Sequence, residues 1–265
     1  MKTGVETLAL TRPATRVQNQ AGLLAVGCLL AITITGLLWL PPLQQDPGYH
    51  QFADHRTILG IPNFWNVLSN LPFLAVAALG AWVLRRKPVF TETWERTAHW
   101  LVVTGAAAIA LGSGYYHWAP DSATLFWDRL PMTLVFMSIL AITLGERVSL
   151  PSGSRALAPL IALGVFSVLN WRWTGDLRLY GAVQFFPMVA LPLLLMLCPP
   201  RYSRQSGIWW MIALYVVAKL LEFNDRALAP YLLGGGHPWK HLAAALALMA
   251  YFVSVARRAA ATPTA

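Results

Sequence analysis

The stretch from Gly112 to Asp128, G-S-G-Y-Y-H-W-A-P-D-S-A-T-L-F-W-D, sets Ser113, His117 and Asp128 between two strongly apolar runs. Far along the chain, G-G-G-H-P-W-K-H carries His237 and His241. Ser113 and His117 are four apart, as are His237 and His241, so on helices each pair shares a face about one turn apart. A catalytic zinc takes three protein ligands plus water, and three neutral imidazoles leave it strongly Lewis acidic, with bound water at a pKa of about 7. His117, His237 and His241 are the candidate ligands. Asp128 is the candidate general base and acid, and Ser113 the candidate donor to the oxyanion that forms at an attacked carbonyl. A histidine at a helix end is more often an interfacial residue, and a serine in a span more often packs or bonds back to its own helix. The joint pattern carries the chemical reading: a His-x-x-x-His pair, a third His, and an Asp inside an apolar segment, where a carboxylate needs a partner.

These residues need elements to position them, and composition defines which kind. The 265 residues are 57% hydrophobic and 12% charged, with a mean hydropathy of +0.52, too apolar for an ordinary soluble domain. Apolar runs of about 20 residues point to membrane-spanning helices and not to a β-barrel, whose strands alternate. A net charge of +9 raises nucleic acid as a partner, but the basic residues cluster at the ends of apolar runs, as the positive-inside rule and lipid head groups require. The partners expected are therefore the bilayer and a membrane lipid, with no nucleic acid. Cys28 and Cys198 fall within or at the edge of spans, which leaves no disulfide framework and no thiolate metal site.

In chain order the expected spans are 21–40, 63–84, 98–115, 124–144, 156–170, 180–197, 208–223 and 238–255. The fold class is thus all-α, a polytopic bundle of eight spans. W-A-P-D-S-A allows only a tight turn, so the third and fourth spans are antiparallel neighbours and Asp128 lies near the depth of His117. Pro238 fits a first helical turn, with His237 near its N-cap. Asn63, Asn66 and Asn70 recur at helical spacing and should face the bundle, for hydrogen bonding between helices or toward the site. Lys219, Glu222 and Asp225 form a second polar cluster, read either as an ion pair with a helix end or as outer partners that orient a ligand histidine. Glu222 and Asn66 are carried forward as candidates for that supporting role. His50, His55 and His99, with Asp46 and Asp54, make only a weak case as ligands.

Counting Lys and Arg in alternate loops gives thirteen on the side of the N-terminus and four on the other, Arg56, Arg172, Arg178 and Arg226. With eight spans, both termini are expected in the cytoplasm. His117, Asp128, His237 and His241 then all fall at the non-cytoplasmic ends of their spans. The charge count did not select them for that.

At S-G-Y-Y-H, D-R-L-P-M and G-H-P-W-K-H-L the chain resembles the alkaline ceramidase family, within the superfamily of seven-helix membrane hydrolases that includes adiponectin-receptor-like proteins. F-W-N-V-L-S-N is similar to that family's first core helix. The resemblance implies a seven-helix catalytic domain over 63–256 and an added N-terminal helix at 21–40, which leaves tails at 1–20 and 257–265; the composition of the closing A-A-A-T-P-T-A points to disorder. It also implies one zinc held by His117, His237 and His241, with Ser113 and Asp128 in the site, and hydrolysis of a ceramide-like lipid amide to fatty acid and amine. Eukaryotic members carry a calcium site of several acidic residues, ending in a carboxylate directly before F-W-N. Here that place is Asn63 and the segment before it offers mainly Asp54, so no calcium is expected. Two other classes remain open: a receptor or lipid-binding protein on the same scaffold with weak or no hydrolysis, and an ion-coupled transporter in which Asp128, Arg129, Lys219 and Glu222 relay charge.

Overall fold

A computed structural model describes residues 13–86, 90–203 and 205–259, with side chains from residue 19. The basic residues Lys2, Arg12, Lys87 and Arg204, the side chain of Arg16 and the tail from 260 on lie outside the described residues. Ten α-helices follow in order: α1 (Pro13–Trp39), α2 (Phe64–Leu68), α3 (Pro72–Arg86), α4 (Thr93–Trp118), α5 (Ser122–Arg147), α6 (Leu150–Thr174), α7 (Arg178–Leu197), α8 (Ser206–Phe223), α9 (Asp225–Leu228) and α10 (His237–Arg257). Among the described residues eight segments are long and apolar enough to cross a membrane, α2 and α3 together making one of them. In hydrocarbon every backbone N–H and C=O needs an internal partner, which is why apolar runs of this length become helices.

Most helices run past the bounds expected from hydropathy. Polar first and last turns extend the helix without extending the apolar run: the segment expected at 156–170 is the 25-residue α6, started by Ser149, whose side chain accepts from Ser152 N. The span expected over 63–84 is broken. Helix α2 stops at Leu68 and α3 begins at Pro72, because proline lacks the N–H that would continue the ladder and its ring crowds the carbonyl four residues back. Asn66 and Asn70 are both buried in this break, where Asn70 Nδ2 donates to Asn66 O at 2.8 Å.

The described helices pack α3 on α4, α4 on α5, α5 on α6 and α7, and α10 on α3 and α8, while α1 lies outside against α7. Among residues 19–39 of α1 only Gly22 is buried, as befits a helix solvated by lipid. The α4–α5 hairpin is closest at Gly112, where a Cβ would lie 2.0 Å from the carbonyl oxygen of Trp127. Asp121 caps α5, its carboxylate accepting from Thr124 N at 2.7 Å. At the far end of the bundle, Arg147 and Arg258 are drawn inside: Arg258 pairs with buried Glu146 and Arg147 donates to the carbonyls of Leu195 and Cys198. His99, expected at a span end, is buried within α4 at that end and meets Tyr251 and the Glu95 carbonyl.

Candidate metal centre

At the other end of the bundle, His117 in the last turn of α4 meets His237 and His241 in the first turns of α10. The three rings are 0%, 4% and 5% exposed, and one ligand atom from each lies within 4.8 Å of the others. Nε2 of His117 is 3.3 Å from Nε2 of His237. Two nitrogens bound to one tetrahedral zinc at about 2.0–2.1 Å stand about 3.3 Å apart, so this pair already has the spacing that the ion requires. Among the described residues this is the one group of three or more His, Cys, Asp or Glu side chains close enough to hold a metal ion.

Each histidine is positioned by a specific contact. Ser69 Oγ lies 2.7 Å from Nδ1 of His241 and donates its own proton to the Asn66 carbonyl. It must therefore accept from Nδ1–H, which leaves Nε2 of His241 with its lone pair free. Asp225 caps α10, accepting from His237 N at 2.8 Å, while its other oxygen accepts from Ala53 N at 2.8 Å. The turn before α10 is closed by Gly234 and Gly235, both at φ +80, a region that side chains with a Cβ rarely adopt. Asn63 Nδ2 donates to the carbonyl of His117 at 2.9 Å. Nδ1 of His117 is buried without a protein partner.

Asp128 and Ser113 stand beside the cluster, facing each other across the α4–α5 contact in side-chain hydrogen-bonding reach. Asp128 is nearly two turns inside α5, deeper than expected, because that helix starts at Ser122. A hydrogen bond from the Ser113 hydroxyl to this carboxylate competes with its expected role as oxyanion donor.

Of the two readings left open for Glu222 the structure displays the ion pair, while Asn66 contributes through its backbone. Glu222 does not reach a histidine: it pairs with Lys219 and with Lys240 Nζ at 2.7 Å, because the two ammonium groups are its nearest donors. Asn66 acts through its backbone carbonyl, and both polar atoms of its side chain are buried without a partner. Ser69 and Asp225 are the residues that orient the ligand helix. Asp54, the acidic residue before the core, is engaged by Arg56 and by Trp65 N at 2.8 and 2.9 Å.

The chain between α1 and α2 lies over the site as a strap. It carries a 3-10 turn at Pro47–His50 capped by Asp46. Phe52 packs its ring 4.6 Å from that of His117 and 4.5 Å from that of His237. His50 bonds Tyr116 Oη and Ser122 Oγ at 3.0 and 3.2 Å. Beneath the strap a cavity of about 900 Å³ is lined by Ser113, Asp128, His237 and His241, then by apolar side chains of α5, α7, α8 and α10. On α5 the lining runs from Asp128 through Met132 and Val135 to Ile139, about 16 Å at about 1.5 Å per residue. That is roughly half of a ~30 Å hydrocarbon core, the length of an acyl chain in one leaflet.

Comparison with family models, with curated proteins and with solved structures finds no match for this chain. The functional reading therefore rests on the site itself.

Proposed function

We propose that this membrane protein is a zinc-dependent hydrolase that cleaves the amide bond of a ceramide-like N-acyl lipid to fatty acid and amine. The observation that carries this reading is the meeting of three buried imidazoles with Asp128 and Ser113 at the polar end of an acyl-sized cavity. Zinc held by His117, His237 and His241 would supply Lewis acidity, polarising a carbonyl and bringing the pKa of water down to about 7. Asp128 takes the proton of the attacking water and returns it to the departing amine nitrogen. Ser113 aligns that carboxylate in the resting site. Once released, its hydroxyl lies one helical turn from His117 and can donate to the carbonyl oxygen. The apolar walls hold the acyl chain, and Phe52 keeps bulk water off the imidazoles.

The excess of Lys and Arg in alternate loops supports placing both termini in the cytoplasm and the site toward the opposite face. The test is metal analysis of the purified protein together with fatty acid release from a panel of N-acyl lipids. The expected result is about one zinc per chain, lost in the His237→Ala, His241→Ala double variant. Asp128→Asn should keep the metal and lower hydrolysis by about 100-fold or more. Bound zinc and retained lipid with no release from any amide would favour a receptor on this scaffold. An unchanged metal content in the double variant would refute the site.

A further inference from the structure

The cavity contains a second polar feature that the proposed chemistry leaves unused. Arg129, next to Asp128 on α5, is 5% exposed and borders the cavity. Its guanidinium carbon lies 4.2 Å from the ring centre of Trp171, 4.7 Å from that of Tyr180 and 5.5 Å from that of Tyr49. Nη2 donates to Gln45 Oε1 at 2.6 Å and the guanidinium is also in side-chain hydrogen-bonding reach of Tyr49, whereas Nη1 is buried with no hydrogen-bond partner. A guanidinium carries five N–H donors, and leaving one unfilled beside a charged centre is unfavourable.

Among the described residues no carboxylate forms a direct ion pair with this cation. Lys219 and Lys240 border the same cavity and share the single carboxylate of Glu222. Asp128 is within side-chain hydrogen-bonding reach of Ser113, and the charges of Lys240 and Arg129 act on it as well. Of the other ionic side chains along the wall, Asp46 caps Gly48 N, Asp225 accepts from Ala53 N and His237 N, and Arg226 reaches Gln51. A purely structural arginine, tying the strap through Gln45 and stacking on aromatic rings, accounts for Nη2 and the ring contacts. It does not account for an unfilled Nη1 on a group that faces a cavity.

We propose that Arg129, backed by Lys219 and Lys240, is an anion-binding subsite that takes a negatively charged head group on the amine side of the substrate. The preferred substrate is then an acidic N-acyl amide bearing a carboxylate or a phosphate. The word substrate rests on the hydrolase reading above; the recognition of an anionic amphiphile does not.

The experiment uses the full zinc-loaded chain in detergent micelles with three amides of one acyl chain: N-palmitoyl-glycine, N-palmitoyl-ethanolamine phosphate and neutral N-palmitoyl-ethanolamine. At least one acidic amide should exceed the neutral one by about 10-fold or more in kcat/KM, the range of a charge-assisted hydrogen bond. Which of the two leads assigns carboxylate or phosphate as the anion. Arg129→Gln should reduce the acidic-to-neutral ratio about 10-fold, chiefly through KM, while Arg129→Lys retains part of it. Gln45→Ala, which cuts only the tie to the strap, should leave the ratio in place. No acidic preference in the unaltered protein, or equal losses on acidic and neutral amides in Arg129→Gln, overturns the subsite. If no amide is cleaved, the hydrolase reading fails and equilibrium binding decides the subsite, read by tryptophan fluorescence with metal-free protein. Tighter binding of N-palmitoyl-glycine or N-palmitoyl-ethanolamine phosphate than of N-palmitoyl-ethanolamine, lost in Arg129→Gln, upholds it; equal binding of all three refutes it.

Discussion

A ligand histidine serves a metal only when the correct ring nitrogen is free, and at His241 that choice belongs to Ser69. Its hydroxyl proton is committed to the Asn66 carbonyl, so the oxygen can only accept, and Nδ1 of His241 carries the hydrogen. Outer partners of this kind are typically worth about 10–100-fold in metal affinity. Under the proposed function, Ser69→Ala is therefore expected to weaken zinc binding by about that factor, measured by competition with a chelator, while the helical content of the protein stays unchanged. An affinity equal to that of the unaltered protein would show that the tautomer is set elsewhere. The His-x-x-x-His pair, the third His and the Asp were legible from residue type and spacing. Ser69 was not, because a serine inside F-W-N-V-L-S-N looks like a packing residue until Pro72 breaks the helix and turns it toward α10. Spacing left Glu222 open between an ion pair and an outer partner of a histidine, and the ion pairs with Lys219 and Lys240 appear only in the fold.

Helices bring the residues together only where their backbones can touch. At Gly112 the α4–α5 contact leaves no room for a methyl group, while at Gly114, one position beyond Ser113, nothing lies within 4 Å of the place a Cβ would take. Gly112→Ala should therefore destabilise the protein by about 1–3 kcal/mol and separate Ser113 from Asp128. Gly114→Ala should be neutral or stabilising by up to about 1 kcal/mol. Thermal unfolding of both variants in one detergent, with activity alongside, checks the contrast. The strap has its own tie at the α6–α7 turn, where Asp176 accepts from Leu43 N and pairs with Arg178. Hydrogen bonding from Arg178 lowers the Asp176 carboxyl from 3.8 to about 2. A depressed acid stabilises the fold above its unfolded value and loses that contribution as pH falls toward its folded value. The strap should accordingly become easier to nick as pH drops from about 4 to about 2. Pepsin cleavage between Leu40 and Ala53, normalised to an unstructured peptide, measures this, and Asp176→Asn should remove the pH dependence.

For the molecule as a whole, length and hydropathy determine most of the architecture: eight apolar runs become eight candidate spans, because lipid leaves the backbone no alternative to helix. Polar helix ends were not visible to hydropathy, nor was the strap, whose irregular backbone follows no period and whose role appears only when Phe52 meets two histidines from distant spans. The charge asymmetry supports the proposed orientation, with both termini in the cytoplasm, and that orientation is directly testable. Ser122 is exposed at the end of the bundle that carries the site, so Ser122→Cys in a background lacking Cys28 should react with an impermeant thiol reagent from the non-cytoplasmic side only. Reaction only from the cytoplasm would invert the topology. The spread of the three imidazoles along the chain has a further consequence, for biogenesis. His117 leaves the ribosome early, but His237 and His241 arrive only with the last span, so the centre cannot assemble until the final helix is inserted and docked. Any chain stalled before α10 lacks two of the three imidazoles, however well its other helices pack, so no half-built centre can take up a metal while synthesis is under way.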